Sequence, residues 1–534
     1  MPGMIVAPQP EAVEAGALVL QRGGNAVDAA IACAFVQGVV DPLMCGIGGF
    51  GSMQVFMPKR GVHQVLEFYA RAPLAARPDM WLDKLRGQSR DGFAFLLVDG
   101  ISEQGHLAVC TPGSVAGYAE ALSRWGTLDW ADTIAPAIAE AKRGVTVRPH
   151  MHWFWSQDQQ ASGQVNTADK LRLTATGRAL YFRPDGALKR PGDVLHNADL
   201  VRTLERLSRG GPELFYRGQL AEEAAADFAA QGGLITQDDF AAYRPSLAEP
   251  IWGSYRGHRI ATNPPPSSGL SMLELLHILE GFDLAALGHN SAGHVRLLAE
   301  AMKRMTLDKD AHMGDPAYVE VPVERLISKT HAEGHAASIR AGERATVKRL
   351  DRSERETTHI SVVDAEGNAV ALTHTLGSPS GAITEGLGFI WNGTMSRFDP
   401  RPGRAGSIAP GKRRASSAAP SIVFRDDQPC IVIGAPGGSY IAPAIAQGIM
   451  NVIDFGMPMA EAVAAPRVMG VSDAIDVSNR VPRYVTDALE AEGYAVKRSW
   501  MSYAFAALHG IRMTGSRLEG GADPQRDGMA LLVP

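Results

Sequence analysis

An α+β fold is what this sequence predicts, on three observations. Between about residues 115 and 350, apolar residues recur mostly at helical spacing. From Thr357 onward, short alternating runs are separated by glycine turns. Near the N-terminus, SMQVFM and HQVLEFY flank the turn PKRG and predict a β-hairpin. A helix-rich middle between strand-rich flanks is segregated, unlike the strand–helix alternation of a parallel α/β sheet.

In order along the chain, EAVEAGALVLQ predicts a helix closed by Gly23-Gly24, and AVDAAIACAFVQGVV a second helix. The middle carries VAGYAEALSRW, ADTIAPAIAEAKR, AEEAAADFAAQ, GLSMLELLHILEGF and HVRLLAEAMKRMTLDKDAHM as helices, punctuated by stretches such as NPPPSSG. HISVV, AVALTHT, SIVF and CIVIG then predict strands. A helix pair, IAPAIAQGIMNVIDFG and MAEAVAAP, precedes a final strand region ending DGMALLVP.

The 534 residues are 45% hydrophobic and 20% charged, with a formal net charge of −5, which gives no basis for a nucleic-acid or anionic-membrane partner. Cys33, Cys45, Cys110 and Cys430 are scattered, so neither a disulfide framework nor a zinc cluster is expected, and a reducing cytosol fits. The start MPGMIVAPQPEAVEAG lacks the basic and apolar pattern of a signal peptide, and no run of eighteen apolar residues predicts a membrane span. A cytoplasmic protein is expected. No HExxH or paired spacing is read among the 15 histidines, so neither a metal nor a cofactor is expected.

GIGGFG at 46–51 matches GxGxxG literally, but a helix precedes it and a hairpin follows, so a tight glycine turn is the reading. GAPGGSY at 434–440 lacks the ending of a phosphate loop; its Gly437-Gly438 pair after a strand can present two amides to an anion or a developing oxyanion. The basic stretch RFDPRPGRAGSIAPGKRRASS reads as a solvated loop.

ERETTHISVVDAEGNAVALTHTLGSPSGA, residues 354–381, raises a sharper possibility. DAEGN is a hairpin turn, and centring it on Glu366 puts Asp364 opposite Asn368 and Thr357 opposite Thr375. Opposed residues lie about 4.5–5.5 Å apart at Cβ, within reach of a Thr–Thr hydrogen bond. Two structural threonines on a strand remain the alternative at this point.

TTHISVVDAEGNAVALTHTL resembles the nucleophile region of the γ-glutamyltranspeptidase family of N-terminal nucleophile (Ntn) hydrolases. GGNAVDAA, GIGGFG, TPGSVAGY, NPPPSSG, KRRASSAAP, GAPGGS and GADPQRDG resemble further family blocks in the same order, spanning essentially the whole chain. The resemblance implies a four-layer αββα sandwich and self-cleavage between Glu356 and Thr357. A large subunit, 1–356, and a small subunit, 357–534, would stay together in one fold, with a homodimer of such heterodimers left open. It implies Thr357 as nucleophile with its freed α-amine as base, Thr375 as the hydroxyl supporting it, Gly437 and Gly438 as the oxyanion hole, and Ser416 and Ser417 as partners of a substrate carboxylate.

The departures bear on substrate. Tyr69 stands where the family has its glutamate-binding arginine, and Gly377 where it has an asparagine. Thr394 and Arg397 stand where a glutamine and an aspartate would grip the substrate's α-amine. A guanidinium for a carboxylate inverts charge selection. The stretch from Phe398 to Lys412 is shorter than in relatives with a lid loop. The expectation is therefore an autoprocessing threonine amidohydrolase of the oxamate amidohydrolase or lid-less acylase-like branch, acting on a small amide that bears a carboxylate bound near Arg397, Ser416 and Ser417. A conventional γ-glutamyltransferase or glutathione hydrolase is the alternative within enzymes, and a catalytically silent homologue the alternative outside them.

Overall fold

The hairpin carrying the candidate nucleophile pairs in the register its turn chemistry dictates. Strand Thr358–Val363 lies antiparallel to Ala369–Thr375, with Thr358 opposite His374 and Val363 opposite Ala369. Asp364 closes the turn: its Oδ1 accepts the amides of Glu366 and Asn368, and its Oδ2 accepts Asn368 Nδ2. Gly367 supplies the left-handed residue, at φ 81°. Asp364 Oδ2 also accepts the Ala26 amide at the start of helix Ala26–Val40, so a carboxylate sits at a helix N-terminus and ties the hairpin to the helical layer. The computed structural model describes residues 2–89, 92, 94–159, 163–348, 357–501 and 505–534; the expectation placed on Glu356 lies outside them.

Two antiparallel sheets form the centre. The first runs Met529–Val533, Gly3–Ala7, Thr358–Val363, Ala369–Thr375, Phe50–Met57, Val62–Phe68, Ser246–Ala248. The second runs Arg517–Ala522, His509–Thr514, Gln428–Gly434, Ser421–Arg425, His258–Thr262, Ile251–Tyr255. Alternation along each strand decides what lies between them. Met4, Val6, Val363, Ala369 and Ala371 of the first sheet meet Ala261, Ile422, Phe424, Val432 and Ile511 of the second in one apolar layer.

The opposite faces carry helices. Ile5, Ile360, Val362, Val370 and Leu372 pack under helices Pro10–Gln21 and Ala26–Val40, joined by residues of the helices that follow them. Ile260, Val423, Ile431 and Ile433 pack under helices Gly269–Glu280, Ala292–His312 and Ile441–Ile453. The molecule is thus a helix–sheet–sheet–helix sandwich, as expected. Each sheet contains strands from both before and after Thr357, so the two stretches of chain meet in the same central sheets.

The helix-rich middle hides a hairpin that periodicity misses. Ile251–Tyr255 and His258–Thr262 form the edge of the second sheet around Arg256-Gly257, whose φ values of 49° and 77° make a type I′ turn. The signal was the two-residue turn between alternating runs, masked by an arginine in a place that usually holds asparagine or glycine. In GIGGFG the reading as a turn stands: helix Ala26–Val40 precedes it and strand Phe50–Met57 follows. A Cβ on Gly49 would meet the Thr375 carbonyl oxygen at 2.4 Å, so glycine there lets the backbone approach the hairpin.

Candidate active site

Thr357 sits one residue before its strand, 4% exposed, in the wall of a small, tight pocket lined also by Thr375, Arg414, Ser416, Ser417 and Gly438. Its hydroxyl lies 3.3 Å from Thr375 Oγ1, the contact that the hairpin register requires. Thr375 Oγ1 in turn accepts the Gly377 amide at 2.7 Å, which fixes its orientation. Thr358, fully buried at the start of the strand, lies next in the chain but does not line the pocket. A larger cleft, lined by Lys84, His106, Asp227 and Glu385 among others, holds none of the candidate residues.

Gly437 and Gly438 follow strand Gln428–Gly434 with φ of 141° and 55°, both in the region that favours glycine. Only glycine fits at 437, because a Cβ there would meet Ala506 Cβ at 2.4 Å. Gly438 reaches the pocket, and helix Ile441–Ile453 starts directly after it, aiming its N-terminal dipole toward the same space. Ser416 is held by its backbone: its amide donates to the Pro266 carbonyl, and its own carbonyl accepts Ser268 Oγ at 3.0 Å.

The four departures from the family pattern fall outside that lining. Tyr69 is buried behind Phe50 in an apolar cluster, and burial raises its phenol pKa. Thr394 is fully buried and donates to Asn392 Oδ1 at 3.1 Å. Arg397 Nη2 donates to the Gly377 carbonyl at 2.8 Å, so this guanidinium braces the loop that orients Thr375. Gly377 has φ 71°, and a Cβ there would meet Thr394 Cγ2 at 2.5 Å. Gly377 and Thr394 therefore fit each other. Gly377→Ala is expected to cost roughly 1–3 kcal/mol, with Thr394→Ser recovering the steric part; thermal denaturation of the two single variants and the double variant measures it.

The guanidinium inside the pocket is Arg414, from the basic stretch read as a solvated loop. The structure keeps that reading for the exposed residues 401–404 and corrects it at 412–414: Lys412 and Arg414 are each 3% exposed, and Arg413 pairs with Glu67 and, at 2.7 Å, with Asp315. Arg414 lies with its guanidinium carbon 4.8 Å from the Phe50 ring centroid, and its Nη1 donates to the Ala415 carbonyl. No carboxylate pairs with it and its Nε meets no acceptor among the described residues. Burial pushes its pKa down to about 10, so it remains a cation at neutral pH.

Arg526, in the GADPQRDG block, was a second omission. It is 2% exposed and its Nη1 donates to the Thr357 carbonyl at 2.7 Å, fixing the backbone of the candidate nucleophile. Arg526→Met is expected to slow turnover by about 10- to 100-fold, with Arg526→Lys recovering part of it. That range follows from losing a charge-assisted hydrogen bond of about 1.5–3 kcal/mol, and steady-state kinetics reads it.

The two strands of the hairpin each carry a buried histidine. His359 Nδ1 is 2.8 Å from Thr373 Oγ1, and His374 bridges Tyr118 and Gln37. Burial lowers the pKa of each to about 3. Their unfolded-state pKa is about 6.5, so below that pH the unfolded chain binds protons that the folded one excludes. Stability contributed by these neutral rings is complete above about pH 6.5 and is lost as pH falls toward 3. The slope approaches about 1.4 kcal/mol per pH unit for each histidine. Urea midpoints between pH 7 and 4 should fall accordingly, and replacing His374 with glutamine should reduce the slope.

Sheet order, the Thr357 hairpin and the glycine pair after the strand are those of an Ntn-hydrolase fold. Comparison with known proteins gives the family. Residues 12–533 match the model of the gamma-glutamyltranspeptidase family. The chain is 40% identical over 505 residues to the acylase ACY 1 proenzyme of Pseudomonas sp. (strain V22), covering 93% of this chain and 88% of that protein. It is 32% identical over 555 residues to the glutathione hydrolase proenzyme of Bacillus subtilis (strain 168), covering 99% and 91%. Among solved structures, cephalosporin acylase from Bacillus halodurans superposes with a TM-score of 0.87 at 29% identity, covering 99% of this chain and 95% of that one. The protein belongs to the γ-glutamyltranspeptidase family and is an enzyme of its amidohydrolase and acyltransferase class.

Proposed function

We propose that the protein is an autoprocessing amidohydrolase whose Thr357 attacks a small amide with a carboxylate on its acyl part. The supporting observation is the pocket itself: the Thr357–Thr375 hydroxyl pair beside Gly438, facing a buried Arg414 that no carboxylate of the described residues neutralises. A buried cation without a counter-ion is costly, and a substrate carboxylate supplies one. Ser416 and Ser417 add hydrogen-bond partners on the same wall. The position-69 arginine of relatives is absent, and a guanidinium reaches the pocket from residue 414 instead.

The chemistry follows. Cleavage between Glu356 and Thr357 divides the chain into 1–356 and 357–534 and frees the Thr357 α-amine. A typical α-amine has a pKa of about 7.7–8.0, fit to take the hydroxyl proton near neutral pH. Thr357 Oγ1 adds to the amide carbonyl, and the Gly437-Gly438 amides receive the developing oxyanion. The C–N bond breaks, the proton passes to the leaving nitrogen, and water releases the acyl group from the threonine ester. The departures from the family pattern at Tyr69, Gly377, Thr394 and Arg397 favour a small carboxylated acyl group, oxamate-like or acylase-like.

Ammonia or amine release from a panel of carboxylated amides, run beside a chromogenic γ-glutamyl anilide, tests the reading. Turnover of the carboxylated amides is expected. Robust anilide turnover without it would assign a conventional γ-glutamyl enzyme, and no turnover of any amide by cleaved protein would assign a silent homologue.

A further inference from the structure

Away from the Thr357 pocket, four side chains from three helices converge on one point. Glu274 comes from helix Gly269–Glu280, Asp308 from Ala292–His312, and His331 and His335 from Lys329–Arg340. One potential ligand atom from each lies within 4.8 Å of all the others. His331 and His335 are four residues apart and so share a helix face. Their Nε2 atoms are 3.2 Å apart and lie 2.8 Å and 3.0 Å from the same oxygen, Asp308 Oδ2. Glu274 Oε1 stands 3.8 Å and 3.9 Å from the two rings.

These distances are those of ligands around a small cation. A tetrahedral ion with bonds of about 2.0–2.1 Å separates its ligand atoms by roughly 3.3–3.4 Å, and the five separations bracket that value. Hydrogen bonding alone accounts for the group less well, because two Nε2–H groups that both donate to Asp308 would face each other only 3.2 Å apart. A second observation is independent of those distances. Glu274 is 1% exposed, no N–H or hydroxyl group among the described residues donates to its Oε1, and its close neighbour is a second carboxylate, Asp308. A carboxylate oxygen buried without a donor is costly unless a cation meets it.

We propose that Glu274, Asp308, His331 and His335 form a structural site for a divalent transition-metal ion, with zinc the best match. Two neutral imidazoles and two carboxylates balance a dication, and the mixed nitrogen and oxygen donors suit zinc better than calcium or magnesium. Four protein ligands close the coordination sphere, which marks a site that holds structure rather than one that activates water. What it holds is evident from helix Lys329–Arg340, whose fully buried side chains are Ala332 and Ala336, with Ile339 part-buried against the same core. Two alanines and a part-buried isoleucine give that helix little apolar grip. The ion clamps it to the helices that cover the second sheet. The sequence reading passed over this site because only His331 and His335 are neighbours in the chain; both carboxylates arrive from other helices.

The test uses tag-free, full-length protein dialysed against EDTA and then titrated with zinc chloride, followed by calorimetry, elemental analysis and thermal denaturation. About one zinc per chain and a higher Tm are expected, and cobalt(II) in its place should give the intense visible bands of tetrahedral coordination. His331→Ala/His335→Ala should weaken zinc binding by about 100-fold or more while circular dichroism stays unchanged. Glu274→Gln provides a second arm: it should lose most of the zinc-induced rise in Tm yet be no less stable than wild type in EDTA. No zinc uptake by the wild type, or uptake equal in wild type and both variants, overturns the proposal; a proton shared between Glu274 and Asp308 would then explain their approach. Turnover at Thr357 is scored separately, so failure of one reading leaves the other standing.

Discussion

Thr357→Ala is expected to leave the chain as one uncut polypeptide and to lower amide turnover by roughly 10⁴-fold or more. The magnitude is that of deleting a covalent nucleophile from a site whose other parts remain. Two losses combine in this variant. No hydroxyl is left to attack the bond before it, and no threonine N-terminus is released to act as nucleophile and base. Thr357→Ser keeps both groups and should cut and turn over, more slowly because the methyl no longer restricts the hydroxyl rotamer. Thr375→Val is a milder companion. It removes the hydroxyl 3.3 Å from Thr357 Oγ1 and leaves the Gly377 amide without its acceptor. Denaturing electrophoresis followed over hours, with turnover of the cleaved fraction, separates effects on processing from effects on catalysis.

Arg414→Met is expected to cut kcat/KM for carboxylated amides by about 10²- to 10³-fold while leaving self-cleavage intact. Truncating one partner of a buried charge pair typically costs about 2–5 kcal/mol. The loss should appear for amides whose acyl part is anionic and be small for neutral analogues of equal size. Arg414→Lys should recover little, because a compact ammonium can reproduce neither the stacking on Phe50 nor a two-point contact with a carboxylate. Arg397→Ala gives the control. Its guanidinium donates to the Gly377 carbonyl, so its removal should lower kcat alike for anionic and neutral amides. Equal discrimination by wild type and Arg414→Met, with loss of discrimination in Arg397→Ala, would return the carboxylate to Arg397.

How far the sequence is legible depends on how local each feature is. The register of the Thr357 hairpin follows from a five-residue turn, so it could be read before any tertiary contact was known, and Thr358 pairs with His374 as that turn requires. The positive φ of Gly437 and Gly438 was legible for a similar reason, since a glycine pair just after a strand marks a turn that only glycine adopts easily. The helices on both outer faces announce themselves by period. Arg414 did not, because its burial depends on Phe50, far away in the chain, and a run of Lys412, Arg413 and Arg414 looks solvated until Asp315 and Glu67 neutralise its middle member. Arg397 showed a charge inversion in sequence, yet its contact is a carbonyl of the neighbouring loop rather than the pocket. Arg526 and Glu274 carry no local pattern at all, and their meaning lies in what tertiary packing places beside them.

N-terminal sequencing of the smaller fragment from purified wild-type protein tests the assignment of Thr357 most directly. The expected result is one new N-terminus reading Thr-Thr-His-Ile, from a fragment spanning 357–534 that stays associated with 1–356 under native conditions. A chain that remains intact after prolonged incubation, or a fragment that begins at any other residue, contradicts it.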